Sequence, residues 1–298
     1  MPSRTLALTV PLDLRLTLGP LLRGPADPAM RLDGRRAWRA TRTADGPAAT
    51  TIELGHDAVT AEAWGPGADR ALHDLPALLG LDGEPVHLPA AHLLVGRLVR
   101  RMPGLRIGRT GAVMEALVPA ILEQKVTGSE AHRAYRGLVR RYGEPAPGPL
   151  PLLVPPSPDL LAALPYHAFH HLGVEQRRAD TIRRAARRAA RLEEATALPP
   201  DEADRRFRSI VGVGPWTSAE VRSRALGDPD AVSVGDFHLP HLVAWALAGE
   251  PRGDDARMLE LLEPYRGQRG RVVRLLEASG LAAPRFGPRM APRSIEGM

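Results

Sequence analysis

Residues 207–217 read Phe-Arg-Ser-Ile-Val-Gly-Val-Gly-Pro-Trp-Thr, a string that leaves the backbone few options. Pro199-Pro200-Asp201 opens a helix before it, with Asp201 as the candidate N-cap. Phe207 and Ile210 then fall on one helical face. Gly212 and Gly214 allow a tight turn with positive φ and close backbone approach. Pro215 suits the first turn of a second helix, where its missing N–H costs nothing and its φ is preset. That helix is predicted from Trp216 to Ala225, with Gly227-Asp228-Pro229 as its stop. The first N–H groups of the second helix point outward. With the helix dipole they favour an anion such as a phosphate. A bare Gly-x-Gly also serves as an ordinary helix connection, so the anion-binding reading rests on the longer string.

Two further segments carry chemistry. Val232-Ser233-Val234-Gly235-Asp236-Phe237-His238-Leu239 places an aspartate 22 residues after Gly214, just before the apolar run Leu239 to Leu247. A carboxylate there is held as an anion by the helix N-terminus, and read locally Asp236 is an N-cap. Upstream, Val113, Leu117 and Ile121 recur every four residues beside Ala116 and Ala120, which predicts a buried helical face. That run passes through Gln124-Lys125-Val126 and ends near Thr127-Gly128, with Ser129 as the candidate cap of the next helix.

Together these segments resemble the helix-hairpin-helix DNA glycosylase superfamily, and most of all its 3-methyladenine DNA glycosylase II branch. The resemblance covers residues 1–281. It is strong at 113–143 and 207–245 and weak in the N-terminal part. It implies that Asp236 is the catalytic carboxylate, stabilising positive charge on the sugar as the N-glycosidic bond breaks. Gly235 stands where other members often carry a second acid. Trp216 stands where relatives that also cut the backbone carry a Schiff-base lysine. The resemblance therefore implies a monofunctional enzyme, and Lys125 is the only lysine among 40 basic residues.

By the same resemblance, Gly212, Val213, Gly214 and Thr217 bind the DNA backbone, and Gln124 and Lys125 sit at the gap left by a flipped nucleotide. The wedge position is usually apolar, so Lys125 is a departure. Its stem can fill space while its amine reaches a phosphate, and it reads equally as a solvated lysine. The implied base pocket comprises Trp216, Phe237, Tyr265 and Glu220. Glu220 replaces a family tyrosine and makes the pocket more acidic, while Phe237 and Tyr265 fit core positions as well as pocket walls. The carbonyls of Arg208, Ile210 and Val213 are the implied ligands of a structural monovalent cation; no other cofactor is implied. An electron-rich pocket suits cationic N-alkylpurines. The expected activity is excision of 3-methyladenine and 7-methylguanine from double-stranded DNA in base excision repair. The alternatives are a non-catalytic helix-hairpin-helix DNA-binding protein and a bifunctional glycosylase/lyase using Lys125.

Composition is consistent with a polyanionic partner. The formal charge is +6, and residues 97–141 hold ten Arg or Lys against three Glu. Residues 176–191 hold seven Arg, which also read as a solvated helix face. The absence of cysteine excludes disulfides, a Cys-based zinc site and an iron–sulfur cluster. His167, His170 and His171 form the one histidine cluster, with no other ligand set beside it. The alternating N-terminus is no signal peptide, and no apolar run reaches the ~18 residues needed for a membrane span. A monomeric, cytoplasmic, nucleoid-associated protein is expected.

The expected fold is α+β: a small N-terminal mixed sheet/helix domain (1–90) followed by a mainly α-helical helix-hairpin-helix region (91–281). The latter is read as two packed helical subdomains with the cleft between them. Strands are predicted at Leu6–Val10, Trp38–Thr43, Thr50–Leu54 and Val59–Trp64, with a turn at 44–47 and a helix near Asp69–Leu79. Pro11-Leu12-Asp13 opens a short helix or continues the alternation. Residues 145–158 read as a Pro-rich loop, and 159–192 as two helices joined at 170–174. Residues 282–298 form a Pro/Arg-rich tail, expected to pack poorly.

Overall fold

Alternating side chains in the first 64 residues build a five-stranded antiparallel sheet, seen in a computed structural model that describes residues 1–83 and 87–284. The strands are β1 (Ser3–Ala7), β2 (Met30–Asp33), β3 (Arg36–Thr43), β4 (Gly46–Leu54) and β5 (Ala58–Trp64), in the order β1-β5-β4-β3-β2. β3 and β4 are paired from Arg36↔Glu53 to Thr43↔Gly46, so the hairpin turns on Ala44-Asp45 alone. One sheet face buries Ala37, Ile52, Val59, Ala61 and Ala63 against helices α1 (Leu14–Leu18), α2 (Ala68–His73) and α3 (Leu75–Leu78). Asp13 caps α1 by accepting from the Leu16 N–H at 2.9 Å, which settles the ambiguity at residues 11–13 in favour of a helix start. The single helix expected at 69–79 is two, because Pro76 cannot donate to the turn before it. β2 is absent from the sequence reading; it is a short edge strand with only Met30 and Leu32 as apolar signal.

The remaining chain is helical apart from a two-residue hairpin, β6 (Glu144–Pro145) with β7 (Leu153–Val154), inside the expected Pro-rich loop. The helices are α4 (Leu93–Arg101), α5 (Val113–Leu122), α6 (Gly128–Tyr142), α7 (Pro158–Ala163), α8 (Tyr166–His170), α9 (Gln176–Ala186) and α10 (Ala189–Glu193). They continue with α11 (Pro200–Arg208), α12 (Pro215–Val221), α13 (Leu239–Ala248), α14 (Asp255–Leu262) and α15 (Arg269–Ala278). Residues 159–192 therefore hold four helices instead of two, with Pro165 dividing the first pair. Thr127, not Ser129, caps α6: its hydroxyl and Glu130 form a reciprocal capping box. Pro199, not Asp201, occupies the N-cap of α11, and Asp201 lies in its first turn.

The helices form two apolar cores. One runs from Val113 through Ala225 and includes the faces of α5, α6, α9 and α11. The other gathers α4 with α13, α14 and α15, so it is discontinuous in sequence. α5 is the spine of the first. Its N-terminal N–H groups at Val113 and Met114 donate to Glu193 (2.7 and 2.8 Å), and its last carbonyl, Leu122, accepts from Arg178 at 2.7 Å. Glu115 on α5 docks the sheet: its carboxylate accepts from Arg39 (2.8 Å), the Thr41 hydroxyl (2.7 Å) and the Arg42 N–H (2.7 Å) on β3. Among the described residues no helix is long and apolar enough to cross a membrane. Most of the expected tail, 285–298, lies outside the described residues.

Candidate active site

The helix pair α11–α12 forms the hairpin read from the sequence, but its two glycines do different work. Gly212 has φ +102°, and a Cβ there would lie 2.1 Å from the Thr181 hydroxyl of α9. The fold therefore requires glycine at 212 twice over, by conformation and by contact. Gly214 has φ −98°, and a Cβ would meet nothing within 4 Å. The positive φ expected at both positions holds only at Gly212, and nothing inside the protein demands glycine at 214. Gly214 is the N-cap of α12, so no side chain closes over the first N–H groups of that helix.

The side chains around the turn are not all outward. Val213 is buried with Ile210 and Phe207, so it offers only its backbone to a ligand. Thr217 is also buried, and its hydroxyl accepts from Gln124 Nε2 at 2.8 Å. Gln124 Nε2 donates as well to the Gly212 carbonyl at 2.9 Å. The Gln124 and Thr217 side chains thus fasten the turn after α5 to the hairpin. Lys125 is left as the exposed tip of that turn with φ +56°, the one non-glycine residue at positive φ among the described residues. Val211, 71% exposed, is the matching tip of the hairpin, and its carbonyl accepts from Arg184 at 3.3 Å.

Asp236 sits where the two helical cores meet. Gly235 turns the chain at φ +90°, and its N–H donates to the Asp255 carboxylate of α14 at 3.0 and 3.1 Å. Asp236 Oδ1 accepts from the N–H groups of His238 (2.7 Å) and Leu239 (2.8 Å) at the start of α13. Oδ2 accepts from the indole Nε1 of Trp216 on α12 at 3.0 Å. His238, not Asp236, is the N-cap of α13; Asp236 grips the entry to the helix with one oxygen from two residues upstream, and the second oxygen is held by the hairpin. Three N–H donors fix the orientation of this partly exposed carboxylate. Asp255 was not foreseen; at 19 residues beyond Asp236, it is linked only by the fold.

With this geometry in place, the chain can be compared with known proteins. Residues 118–266 match the HhH-GPD superfamily of base excision DNA repair proteins. The chain belongs to that superfamily. It is 33% identical over 172 residues to the Mycobacterium tuberculosis probable bifunctional transcriptional activator/DNA repair enzyme AlkA, covering 54% of this chain and 34% of the relative. The chain thus spans about a third of the length of that relative. It is 26% identical over 203 residues to DNA-3-methyladenine glycosylase 2 of Escherichia coli, covering 67% of this chain and 70% of the relative. The structure resembles that of a 3-methyladenine DNA-glycosylase from Archaeoglobus fulgidus, with a TM-score of 0.76 at 18% identity over 92% of this chain and 97% of that one.

The expected pocket of this HhH-GPD protein is only partly assembled. Phe237 is 79% exposed and stands edge-on to His238 at 4.9 Å, beside Asp236. Tyr265 is 1% exposed in the core of α4, α13, α14 and α15, where burial raises its hydroxyl pKa. It is a core residue and no pocket wall. Glu220 is half-buried one turn below Trp216. Its Oε1 accepts from the Ser233 hydroxyl at 2.5 Å and its Oε2 is ion-paired with Arg224. Burial pushes the Glu220 carboxyl up, but Arg224 and the Ser233 hydroxyl together hold it below its ordinary value. The added acidity expected from Glu220 is therefore compensated within the protein. Arg224 and Arg23 line a cavity of about 40 Å³ at the junction with the sheet domain, room for about one water.

The arginine-rich stretches also divide. In α9, Arg178 is buried on the Leu122 carbonyl, Arg183 pairs with Asp180 and Arg184 holds Val211, while Arg177 and, just beyond the helix, Arg187 and Arg188 are exposed. Within 97–141, Arg106 donates to the Pro11 carbonyl and Arg109 to Asp82, whereas Arg97, Arg100, Arg101, Arg133, Arg140 and Arg141 are exposed. The His170 ring is hydrogen-bonded to Tyr166 of its own helix at 3.1 Å, and no metal-binding cluster is found among the described residues.

Proposed function

We propose that the protein is a monofunctional DNA glycosylase that removes alkylated purines of the 3-methyladenine and 7-methylguanine type from double-stranded DNA. The carrying observation is the Asp236 carboxylate, fixed by the His238 and Leu239 N–H groups on one oxygen and by Trp216 on the other. Cleavage of an N-glycosidic bond builds positive charge on the sugar, and a preoriented anion stabilises it without reorganising. Trp216 offers an aromatic face at the same point, and stacking favours a base that carries positive charge. The hairpin carries Trp216 and no lysine, which favours a glycosylase without a Schiff-base step.

In this reading the open N-terminus of α12 and the Gly212–Gly214 backbone hold a phosphate flanking the lesion. Lys125, at the tip that Gln124 ties to the hairpin, fills the space of the flipped nucleotide. A monovalent cation would be held by the carbonyls of Arg208, Ile210 and Val213. The Ile210 carbonyl already accepts from the Val213 N–H at 2.9 Å and retains a second lone pair for an ion. Such an ion would add charge for the phosphate and take no part at the sugar. The names of the E. coli and A. fulgidus proteins, both 3-methyladenine DNA glycosylases, support the substrate class, and that of the M. tuberculosis protein supports a part in DNA repair.

The test is release of methylated bases from alkylated duplex DNA by wild type and Asp236→Asn. Wild type releases 3-methyladenine and leaves an unbroken abasic strand; the variant loses about 10²–10³-fold in rate while still binding DNA. Equal release by both proteins, or strand scission by wild type, would refute the assignment.

A further inference from the structure

Two residues one helical turn apart on α12 reach the same loop. Trp216 Nε1 donates to Asp236 Oδ2 at 3.0 Å, and Glu220 Oε1 accepts from the Ser233 hydroxyl at 2.5 Å. Positions i and i+4 share a helix face, so both attachments come from one side. Between them the loop closes on itself, because the Asp236 N–H donates to the Ser233 carbonyl at 3.2 Å. Glu220 is not free to swing. Its other oxygen is paired with Arg224, and Arg224 is anchored to the Pro20 carbonyl at 3.2 Å.

The two attachments differ in what they fix. The Oδ1 bonds to His238 and Leu239 hold Asp236 relative to α13, which belongs to the second helical core. They say nothing of its place relative to α12, the hairpin helix built on the first core. Among the described residues, Trp216 and Glu220 are the α12 side chains hydrogen-bonded to residues 233–236, and a single hydrogen bond would leave the loop free to pivot.

We propose that Glu220, acting through Ser233, is a positioning residue for Asp236: the second point of a two-point clamp that sets the carboxylate against the hairpin. The kinetic consequence rests on the glycosylase reading above, whereas the clamp itself does not. Glu220 thereby has a role other than the pocket wall implied by resemblance. A shift of the carboxylate by about 1 Å is expected to cost on the order of 100-fold in rate.

The experiment uses the full chain with Ser233→Ala, which removes the hydroxyl; Ser233→Thr, which keeps it; and Glu220→Gln with the double variant. Three quantities are measured: single-turnover release of 3-methyladenine, Kd for duplex DNA, and solvent exchange of the Trp216 indole N–H by NMR, assigned with Trp216→Phe. Ser233→Ala is expected to slow release about 10- to 100-fold, with Kd held within about twofold. Its indole proton exchanges roughly tenfold faster, and Ser233→Thr restores both. The double variant is no worse than Ser233→Ala alone, because the two residues act as one unit. Unchanged indole exchange in Ser233→Ala overturns the clamp whatever the activity. A loss confined to Kd, or one that Ser233→Thr fails to rescue, overturns the positioning role. If wild type releases no base, the glycosylase reading falls, and the indole signal still decides the clamp.

Discussion

Gly212 and Gly214 look alike in the sequence and part company in three dimensions. Gly212 is left-handed and packed on Thr181; Gly214 is extended and has open space where a Cβ would go. Gly212→Ala is therefore expected to destabilise the protein by about 1–3 kcal/mol, read as a fall in the denaturant midpoint. Gly214→Ala is expected to leave stability within about 0.5 kcal/mol and yet weaken duplex binding, since only an approaching backbone needs that space. Normal DNA affinity in Gly214→Ala would remove the hairpin from the proposed interface. The turn was legible because a Gly-x-Gly-Pro run constrains the backbone by itself. Which glycine the fold requires was not legible, since that depends on Thr181, a residue 31 positions away. Asp236 shows the same limit: its bonds to the N–H groups two and three residues on are local, while its bond to Trp216 required the fold.

At the level of elements, periodicity found α5 and α13 and most of the sheet, because each buries one regular face. It failed where a proline or a side-chain cap divides an apolar run: at Pro76, at Pro165, and at Thr127, where Glu130 completes the capping box. Resemblance, not periodicity, made Tyr265 a candidate pocket residue, with a core position open beside it. An aromatic residue on an apolar helix turn carries the same local signal in a core as in a cleft, and only burial separates the two. Gln124 is the element-level surprise. A glutamine at the end of an apolar helix reads as exposed, yet its amide joins the turn after α5 to the Gly212 carbonyl and the Thr217 hydroxyl. Gln124→Ala strands both acceptors, one of them on a buried threonine, and is expected to cost about 1–3 kcal/mol. Because Lys125 depends on that turn, DNA binding should fall with it. Gln124→Glu is a sharper probe, since it removes the donor and keeps the size. Wild-type stability and affinity in both variants would show that the turn is held by something else.

The whole molecule is held together by buried charges that bridge its parts, and these set its pH dependence. Glu115 joins α5 to β3, Arg23 pairs with Glu123 at 3.2 Å, and Glu220 and Arg224 sit where both helical cores approach the sheet domain. Their effects on stability do not share one sign. Asp27 and Glu193 are raised by burial, so their contribution is complete below the unfolded carboxyl value and is lost as pH rises through the folded one. Glu220 runs the other way. Burial pushes it up, but Arg224 and Ser233 hold it below its ordinary value, so its contribution is complete above the unfolded carboxyl pKa of about 4.3 and is lost as pH falls through the folded one. The stability gap between wild type and Glu220→Gln should therefore be widest near neutral pH and close toward about pH 3, as followed by urea melts across that range. A gap that stays constant with pH would mean that Glu220 contributes shape without charge. Arg224 would then be held by the Pro20 and Glu220 backbone carbonyls, and the ion pair would have no part in joining the domains.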